Sequence, residues 1–259
     1  MTQHIRDERV TDTETATAFY VRGAARSHSG LVRKLNEDSY LQSPETGLWA
    51  VADGMGGHES GDVASSLIVN ELSEIAGAQT AYDLRRWVAR RLHWANDELV
   101  RMAASSARGS MGATVAVLTM HGTQYSCTWA GDSRIYLIRN QRLYRLTTDH
   151  SLVQALVSAG EITLSEARAH PRSNVVTRAI GANADLELET VNGEMLDGDR
   201  FLLCTDGLTN VVDEGQILSL AVNADVSAGC DALVRAALSN GAPDNVTVIL
   251  TDVGKTVRR

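Results

Sequence analysis

The sequence predicts an α+β fold, a layered sandwich in which two blocks of strands each bring two helices. Two observations carry this. Short apolar runs of strand length fall into an early and a late group, and within each group two longer stretches repeat their apolar residues every three or four positions, the period of a helix on a sheet. A third observation points to function. The run Leu48-Trp49-Ala50-Val51-Ala52 reads as a buried strand, and it ends in Asp53-Gly54-Met55-Gly56-Gly57. Glycines let the backbone turn sharply and lie bare beside a ligand, so Asp53 is expected at a sheet edge. An Asp-Gly pair alone is equally an ordinary turn. Repetition decides, because an acid beside a strand and next to Gly or Asn recurs at Asn36-Glu37-Asp38, Gly131-Asp132-Ser133-Arg134, Cys204-Thr205-Asp206-Gly207 and Pro243-Asp244-Asn245.

Taken in order, residues 1–18 read as a flexible polar tail and one domain as 19–253, with residues 254–259 as a second tail. Strands are expected over Phe19 to Ala24 and Asp38 to Leu41. Val63, Ala64, Leu67, Ile68, Leu72 and Ile75 give one apolar face to a helix from about Gly61 to Ala76. A second helix spans about Ala81 to Ala104, opened by Thr80 with Asp83 as its reciprocal cap. Its stripe is Leu84, Trp87, Val88, Leu92, Ala95 and Leu99, and its tryptophans, Trp94 included, read as core. Strand patterns follow at Ala113 to Met120, Gln124 to Ala130, Ile135 to Arg139 and Leu143 to Leu146. Tight turns at His121-Gly122 and Asn140-Gln141 make this an expected antiparallel meander. Two short helices, the second opened by a Thr163/Glu166 capping box, then interrupt the strands over about 147–182. Strands resume at Leu186 to Val191, Arg200 to Cys204 and Val246 to Thr251, with helices near Glu214 to Ala221 and Val226 to Leu238.

Composition narrows the partners. A net charge of -8 argues against broad nucleic-acid binding, which needs a basic face. No run approaches the ~20 apolar residues of a membrane span, so no membrane insertion is expected. Cys127, Cys204 and Cys230 show neither metal-ligand spacing nor an even count, and read as buried thiols in a reducing, cytoplasmic compartment.

The acids at the strand ends are Glu37, Asp38, Asp53, Asp132, Asp206 and Asp244. Gathered carboxylates repel one another, and such a group either stays solvated or binds hard cations. Oxygen ligands without paired His or Cys favour Mg²⁺ or Mn²⁺, and two such ions sharing a water suit in-line displacement at phosphorus. Arg33, three residues before the Asn-Glu-Asp run, offers a bidentate guanidinium for phosphoryl oxygens.

In this order the motifs resemble those of the metal-dependent protein phosphatases, the PPM or type 2C serine/threonine phosphatases, in their compact bacterial form. The resemblance rests on Gly30-Leu31-Val32-Arg33-Lys34-Leu35-Asn36-Glu37-Asp38-Ser39, Asp53-Gly54-Met55-Gly56-Gly57-His58, Met111-Gly112-Ala113-Thr114, Gly131-Asp132-Ser133-Arg134, Thr148-Asp149-His150-Ser151, His170-Pro171, Thr205-Asp206-Gly207-Leu208 and Asp244-Asn245-Val246-Thr247. It implies a four-layer α/β/β/α sandwich of two antiparallel sheets flanked by helices, with a helical flap at about 147–182. It also implies that Asp53 bridges two core ions and that the Gly54 carbonyl helps hold one. Asp206 and Asp244 would hold the first ion, Glu37 the second, and Asp38 would act through metal-bound water. Asp132 with Asp206 matches a third, weaker site, while Thr114, Ser133, Arg134 and Asn245 match supports.

Many eukaryotic relatives carry a histidine immediately after the Asp-Gly pair, where this chain has Met55. That leaves the general acid open between His58, His150 and a metal-bound water. The implied reaction is attack of a bridging hydroxide on phosphoserine or phosphothreonine, with no covalent phosphoenzyme. A catalytically silent phosphoprotein-binding module on the same fold and an unrelated two-metal nuclease are the competing readings; the complete set of acids disfavours the first and the charge the second. By the same resemblance the partners are proteins phosphorylated by a bacterial Ser/Thr kinase, the kinase itself, a forkhead-associated-domain protein or an anti-sigma-factor antagonist.

Overall fold

A computed structural model of the chain describes residues 19–56, 60–105 and 111–256. In chain order its elements are β1 (Phe19–His28), β2 (Asp38–Ser43), β3 (Leu48–Gly56), α1 (Ser60–Ser73), α2 (Ala81–Ser105), β4 (Met111–His121), β5 (Gln124–Ala130), β6 (Arg134–Arg139) and β7 (Arg142–Arg145). They continue with α3 (Leu152–Ser158), α4 (Leu164–Arg168), β8 (Glu189–Glu194), β9 (Arg200–Cys204), α5 (Asp206–Thr209), α6 (Glu214–Ala221), α7 (Val226–Ser239) and β10 (Val246–Lys255). The strands form two antiparallel sheets, ordered β1-β10-β9-β6-β7 and β2-β3-β4-β5-β8.

Three apolar clusters show how the layers stack. Leu48, Ala50 and Ala52 of β3 pack with Ala64, Ile68 and Leu72 of α1 and Leu84, Val88 and Leu92 of α2. Leu202 and Cys204 of β9 and Val248 and Leu250 of β10 pack with Ile217 of α6 and Cys230 and Leu233 of α7. Between the sheets lie Trp49, Val51, Ala116, Leu118, Ile135, Leu137, Phe201, Leu203 and Ile249. The order is helix, sheet, sheet, helix. Alternation of side chains along each strand makes this possible: successive residues of β3 serve the helix-side and the inter-sheet core in turn.

The helix starts behave as their sequences suggest. The backbone N–H of Asp83 donates to Thr80 Oγ1 at 3.0 Å, and Thr163 with Glu166 closes a reciprocal capping box. Asn140 and Gln141 both have positive φ, the backbone of a tight two-residue hairpin between β6 and β7.

Four expectations need correction. The meander over Ala113 to Leu146 is split, with β4 and β5 in one sheet and β6 and β7 in the other; the chain crosses between sheets at Gly131-Asp132-Ser133. Trp94 is not core but 49% exposed, while Trp87 packs at the edge of the helix-side cluster. The strand expected at Leu186 to Val191 is β8, at Glu189–Glu194; Leu186 and Leu188 cover the core from outside the strand. Gly254 and Lys255 are not tail, because they complete β10 by pairing with Tyr20 and Phe19 of β1. The short helix α5 has no counterpart in the sequence reading. Residues 1–18, 257–259 and His58 lie outside the described residues. Among the described residues no helix is long and apolar enough to cross a membrane.

Candidate active site

At one end of the inter-sheet layer the alternation continues but the residues change character. Beyond Val51 the next inter-sheet position of β3 is Asp53, and beyond Ala116 that of β4 is Thr114. Leu203 is followed by Thr205, and Ile249 is preceded by Thr247. Register brings these together: Asp38 of β2 lies directly opposite Asp53, Asp53 opposite Thr114, and Ser27 of β1 opposite Thr247. The apolar core therefore ends in a polar floor shared by both sheets.

Onto this floor the acids converge. Burial pushes the Asp53 carboxyl well above its ordinary range, reinforced by the charges of Asp38, Asp206, Asp132 and Asp244, which places Asp53 at the electrostatic centre of the group. Desolvation likewise raises Asp38 to about 7 and Asp132 to about 8, and raises Asp206, with Asp244 as its strongest neighbouring charge. Glu37 is raised too, first by burial. Arg33 donates from Nη2 to Asp244 Oδ2 at 2.9 Å, and its half-exposed guanidinium lies at the rim of the acids.

Close backbone packing sets this geometry. The Gly54 N–H donates to the Glu37 carbonyl at 3.1 Å. A Cβ on Gly54 would sit 2.1 Å from the Gly61 carbonyl oxygen, so the bare backbone after Asp53 is what lets the start of α1 lie against it.

The donor set fits divalent cations. Asp38 Oδ1 and Asp206 Oδ1 are buried and without a hydrogen-bond partner. A carboxylate oxygen buried without a donor is costly, and an ion with oxygen preference removes that cost. Among the described residues no three Asp, Glu, His or Cys side chains stand close enough to form a finished cage, so the fit rests on these open oxygens and on the charge they share.

Residues 22–242 match the family model described as protein phosphatase 2C. The chain belongs to the protein phosphatase 2C family. It is 36% identical over 236 residues to the serine/threonine phosphatase stp of Listeria innocua, covering 88% of this chain and 94% of the relative. It is 36% identical over 234 residues to the serine/threonine protein phosphatase PstP of Mycobacterium tuberculosis, covering 90% of this chain and 45% of that protein. Among solved structures, PppA, described as a key regulatory component of T6SS in Pseudomonas aeruginosa, matches with a TM-score of 0.83 at 40% identity, covering 92% of this chain and 98% of its own. The catalytic domain of PstP in complex with two manganese ions matches with a TM-score of 0.81 at 35% identity, covering 92% and 100%. This type 2C phosphatase is thus a metal-dependent serine/threonine phosphatase with the four-layer sandwich fold.

Several further motif residues are hydrogen-bonded around these acids. Asn245 clamps the loop between β1 and β2: its Nδ2 donates to the Ser29 and Leu35 carbonyls at 3.0 and 2.9 Å, and its Oδ1 accepts from the Glu37 N–H at 2.8 Å. That loop carries Arg33 and Glu37. Asn245→Ala is expected to lower kcat/KM about 10-fold or more, as loss of a ligand-orienting partner does, and to lower the melting temperature because three backbone groups lose their partner. Unchanged kcat/KM on a phosphopeptide would show that the loop holds itself.

Thr114 Oγ1 and Ser133 Oγ meet at 2.8 Å, tying β4 to the crossover that carries Asp132. Arg134 grips Asp149 with two N–H groups, Nε to Oδ1 at 2.9 Å and Nη2 to Oδ2 at 2.6 Å. His150 is engaged on both nitrogens: Nδ1 accepts from the Gly131 N–H at 3.1 Å and Nε2 faces Glu189 Oε1 at 3.1 Å, with the ring stacked on Trp129. It fastens the 147–182 segment and has no nitrogen left for proton transfer to a leaving group. Sequence reasoning gave no role to Thr205, Thr247 or Ser27. The available signal was a hydroxyl residue in an otherwise apolar strand, as in Val246-Thr247-Val248-Ile249-Leu250.

Proposed function

We propose that this phosphatase hydrolyses phosphoserine and phosphothreonine in proteins by direct transfer of the phosphoryl group to water. In this reading Glu37, Asp38, Asp53, the Gly54 carbonyl, Asp206 and Asp244 hold two Mn²⁺ or Mg²⁺ ions, and Asp132 with Asp206 holds a third, weaker one. Bound there, such ions lower the pKa of a shared water and neutralise phosphoryl oxygens. The observation that carries the proposal is Asp53, set at the end of a buried strand directly opposite Asp38, beside the buried, unpartnered Oδ1 atoms of Asp38 and Asp206.

The chain's own groups divide the work. Asp53, rigid on β3 beside the bare Gly54 backbone, fixes the centre of the acid group. Arg33 at the rim presents two N–H groups to the phosphoryl oxygens, exchanging its contact with Asp244 for the more highly charged substrate. A covalent phosphocysteine route finds no support: Cys127, Cys204 and Cys230 are buried, and burial pushes Cys204 up to about 12 and Cys230 up to about 11. The 147–182 segment borders the site as a flap, since Ser151 bridges to Val176 and Ile180 to Ala113 beside Thr114.

The substrates we propose are proteins phosphorylated by a bacterial Ser/Thr kinase, including that kinase and forkhead-associated-domain proteins, in the cytoplasm. The description of PppA as a regulatory component of T6SS supports a substrate in a secretion or signalling pathway. The test is phosphate release from a phosphothreonine peptide by metal-stripped protein titrated with Mn²⁺ and then Mg²⁺, with a phosphotyrosine peptide as control. Release that needs the ion and favours phosphothreonine is expected. No release by folded, ion-binding protein would overturn the proposal.

A further inference from the structure

We propose that Thr205 and Thr247 are positioning residues for the hydrolysis, a pair of hydroxyl donors that lock Asp38 by one carboxylate oxygen so that the other stays open within the acid group. This rests on the metal-dependent reading of the site given above. Thr205 Oγ1 donates to Asp38 Oδ2 at 2.9 Å and Thr247 Oγ1 donates to the same oxygen at 2.7 Å. Asp38 Oδ1 receives no hydrogen bond. Thr205 directly follows β9 and is the N-cap residue of α5, Thr247 lies on β10 of the same sheet, and Asp38 opens β2 of the other, so the bracket spans the sandwich.

With Asp38 ionised, as it is when it faces a cation, the direction of every bond in this network is fixed. Thr205 Oγ1 accepts from the Thr247 N–H at 3.0 Å, so its single proton goes to Asp38. Thr247 likewise spends its proton on Asp38, and Ser27 Oγ at 2.8 Å must therefore donate to Thr247. Ser27 in turn accepts from Asn36 Nδ2 at 2.8 Å, and Asn36 Oδ1 accepts the Asp38 N–H at 3.3 Å, which closes the ring. Both threonines are 0% exposed, so no bulk water replaces a lost donor. Two donors on one oxygen suit an ionised carboxylate, and a closed chain of hydroxyls allows no reversal that would turn Oδ1 inward. A purely apolar strand would carry valine at both positions. Valine has the same shape as threonine, so packing alone does not explain the hydroxyls.

The experiment compares Thr247→Val, Thr247→Ser and Thr205→Val, with the full chain titrated with Mn²⁺ by calorimetry and assayed on a phosphothreonine peptide. Thr247→Val and Thr205→Val are expected to weaken Mn²⁺ binding about 10-fold and lower kcat about 10- to 100-fold, the usual cost of losing a ligand-orienting partner. KM should stay within about threefold, because the Arg33 contact to phosphate is untouched. Thr247→Ser restores the hydroxyl and is expected within about threefold of the parent in both readouts. Parent-like Mn²⁺ affinity in both valine variants, or a serine variant as impaired as the valine one, would overturn the proposal. Should the valine variants fail to fold, Ser27→Ala leaves both threonines in place and removes the donor to Thr247 together with the acceptor of Asn36: about threefold weaker Mn²⁺ binding is expected, and unchanged binding overturns the bracket. If the parent itself binds no Mn²⁺, it is the metal-dependent reading that fails, an outcome the parent titration separates from all of these.

Discussion

Asp53→Asn is expected to reduce phosphate release at least about 10³-fold, ~4 kcal/mol of transition-state stabilisation, while making the metal-free protein more stable than its parent. Both effects have one cause. Asp53 feels Asp38, Asp206, Asp132 and Asp244 together, and its carboxylate lies within hydrogen-bonding reach of Asp206. Asparagine keeps the size, needs no proton to enter the buried acid group where the Asp53 carboxyl must take one up at a cost, and offers an N–H to the Asp206 side, so the folded state gains. Replacing a buried carboxyl that the fold must neutralise stabilises by about 1–3 kcal/mol, which in a chain of this size raises the melting temperature by roughly 2–6 °C. The same change removes the central anionic ligand of the proposed site. Thermal melts in chelator, run beside the peptide assay, check both halves. Turnover within tenfold of the parent would take Asp53 out of the catalytic set, and a lower melting temperature in chelator would show that the acids do not repel.

Most of this architecture was legible because periodicity carries it. The α1 and α2 stripes, the β3 run and the strand ends bearing Glu37, Asp38, Asp53, Asp206 and Asp244 follow from spacing alone, and the acids do converge. What was not legible has physical reasons. Ser126 to Ala130 of β5 and Ile135 to Ile138 of β6 are buried on both faces, so alternation cannot say which sheet a strand joins, and the split of the meander was hidden. Trp94 lies two positions past Leu92, about 200° round the helix from the buried stripe, and its size alone suggested core. The end of β10 is held by backbone pairing to β1 with Gly254 under the Tyr20 ring, a contact without an apolar signature in its own sequence. Thr205, Thr247 and Ser27 meet Asp38 only because two sheets face each other. Local sequence holds no trace of a partner that lies across the sandwich.

The metal-free phosphatase is expected to lose stability as pH rises from about 6.5 to 8.5, and added Mn²⁺ is expected to abolish that loss. Asp38 and Asp132 titrate near 7 and 8 in the fold against an ordinary 3.8, and Asp53 lies well above that value, each first because of burial. Between the unfolded and folded values the native state holds protons that the unfolded chain has released. Stability then falls with pH, because its slope follows the protons bound by the unfolded state minus those bound by the native one. His150 acts oppositely, since burial lowers its pKa below 6.5 and its contribution rises with pH. That term is half spent at pH 6.5 and fades by about pH 7.5, so the acids, each still losing protons there, set the sign of the slope through the window. Ions that take the place of these protons stabilise the native state most where the protons are already leaving. A fall of roughly 4 °C or more in melting temperature across the window in chelator is expected, and a flat profile in Mn²⁺. Calorimetric titration with Mn²⁺ at pH 7 in two buffers of different ionisation heat should show proton release on binding. A metal-free melting temperature that climbs through this window would mean that the acids enter the fold already ionised, each with a compensating partner, and that neither ion binding nor Asp53→Asn acts by relieving repulsion.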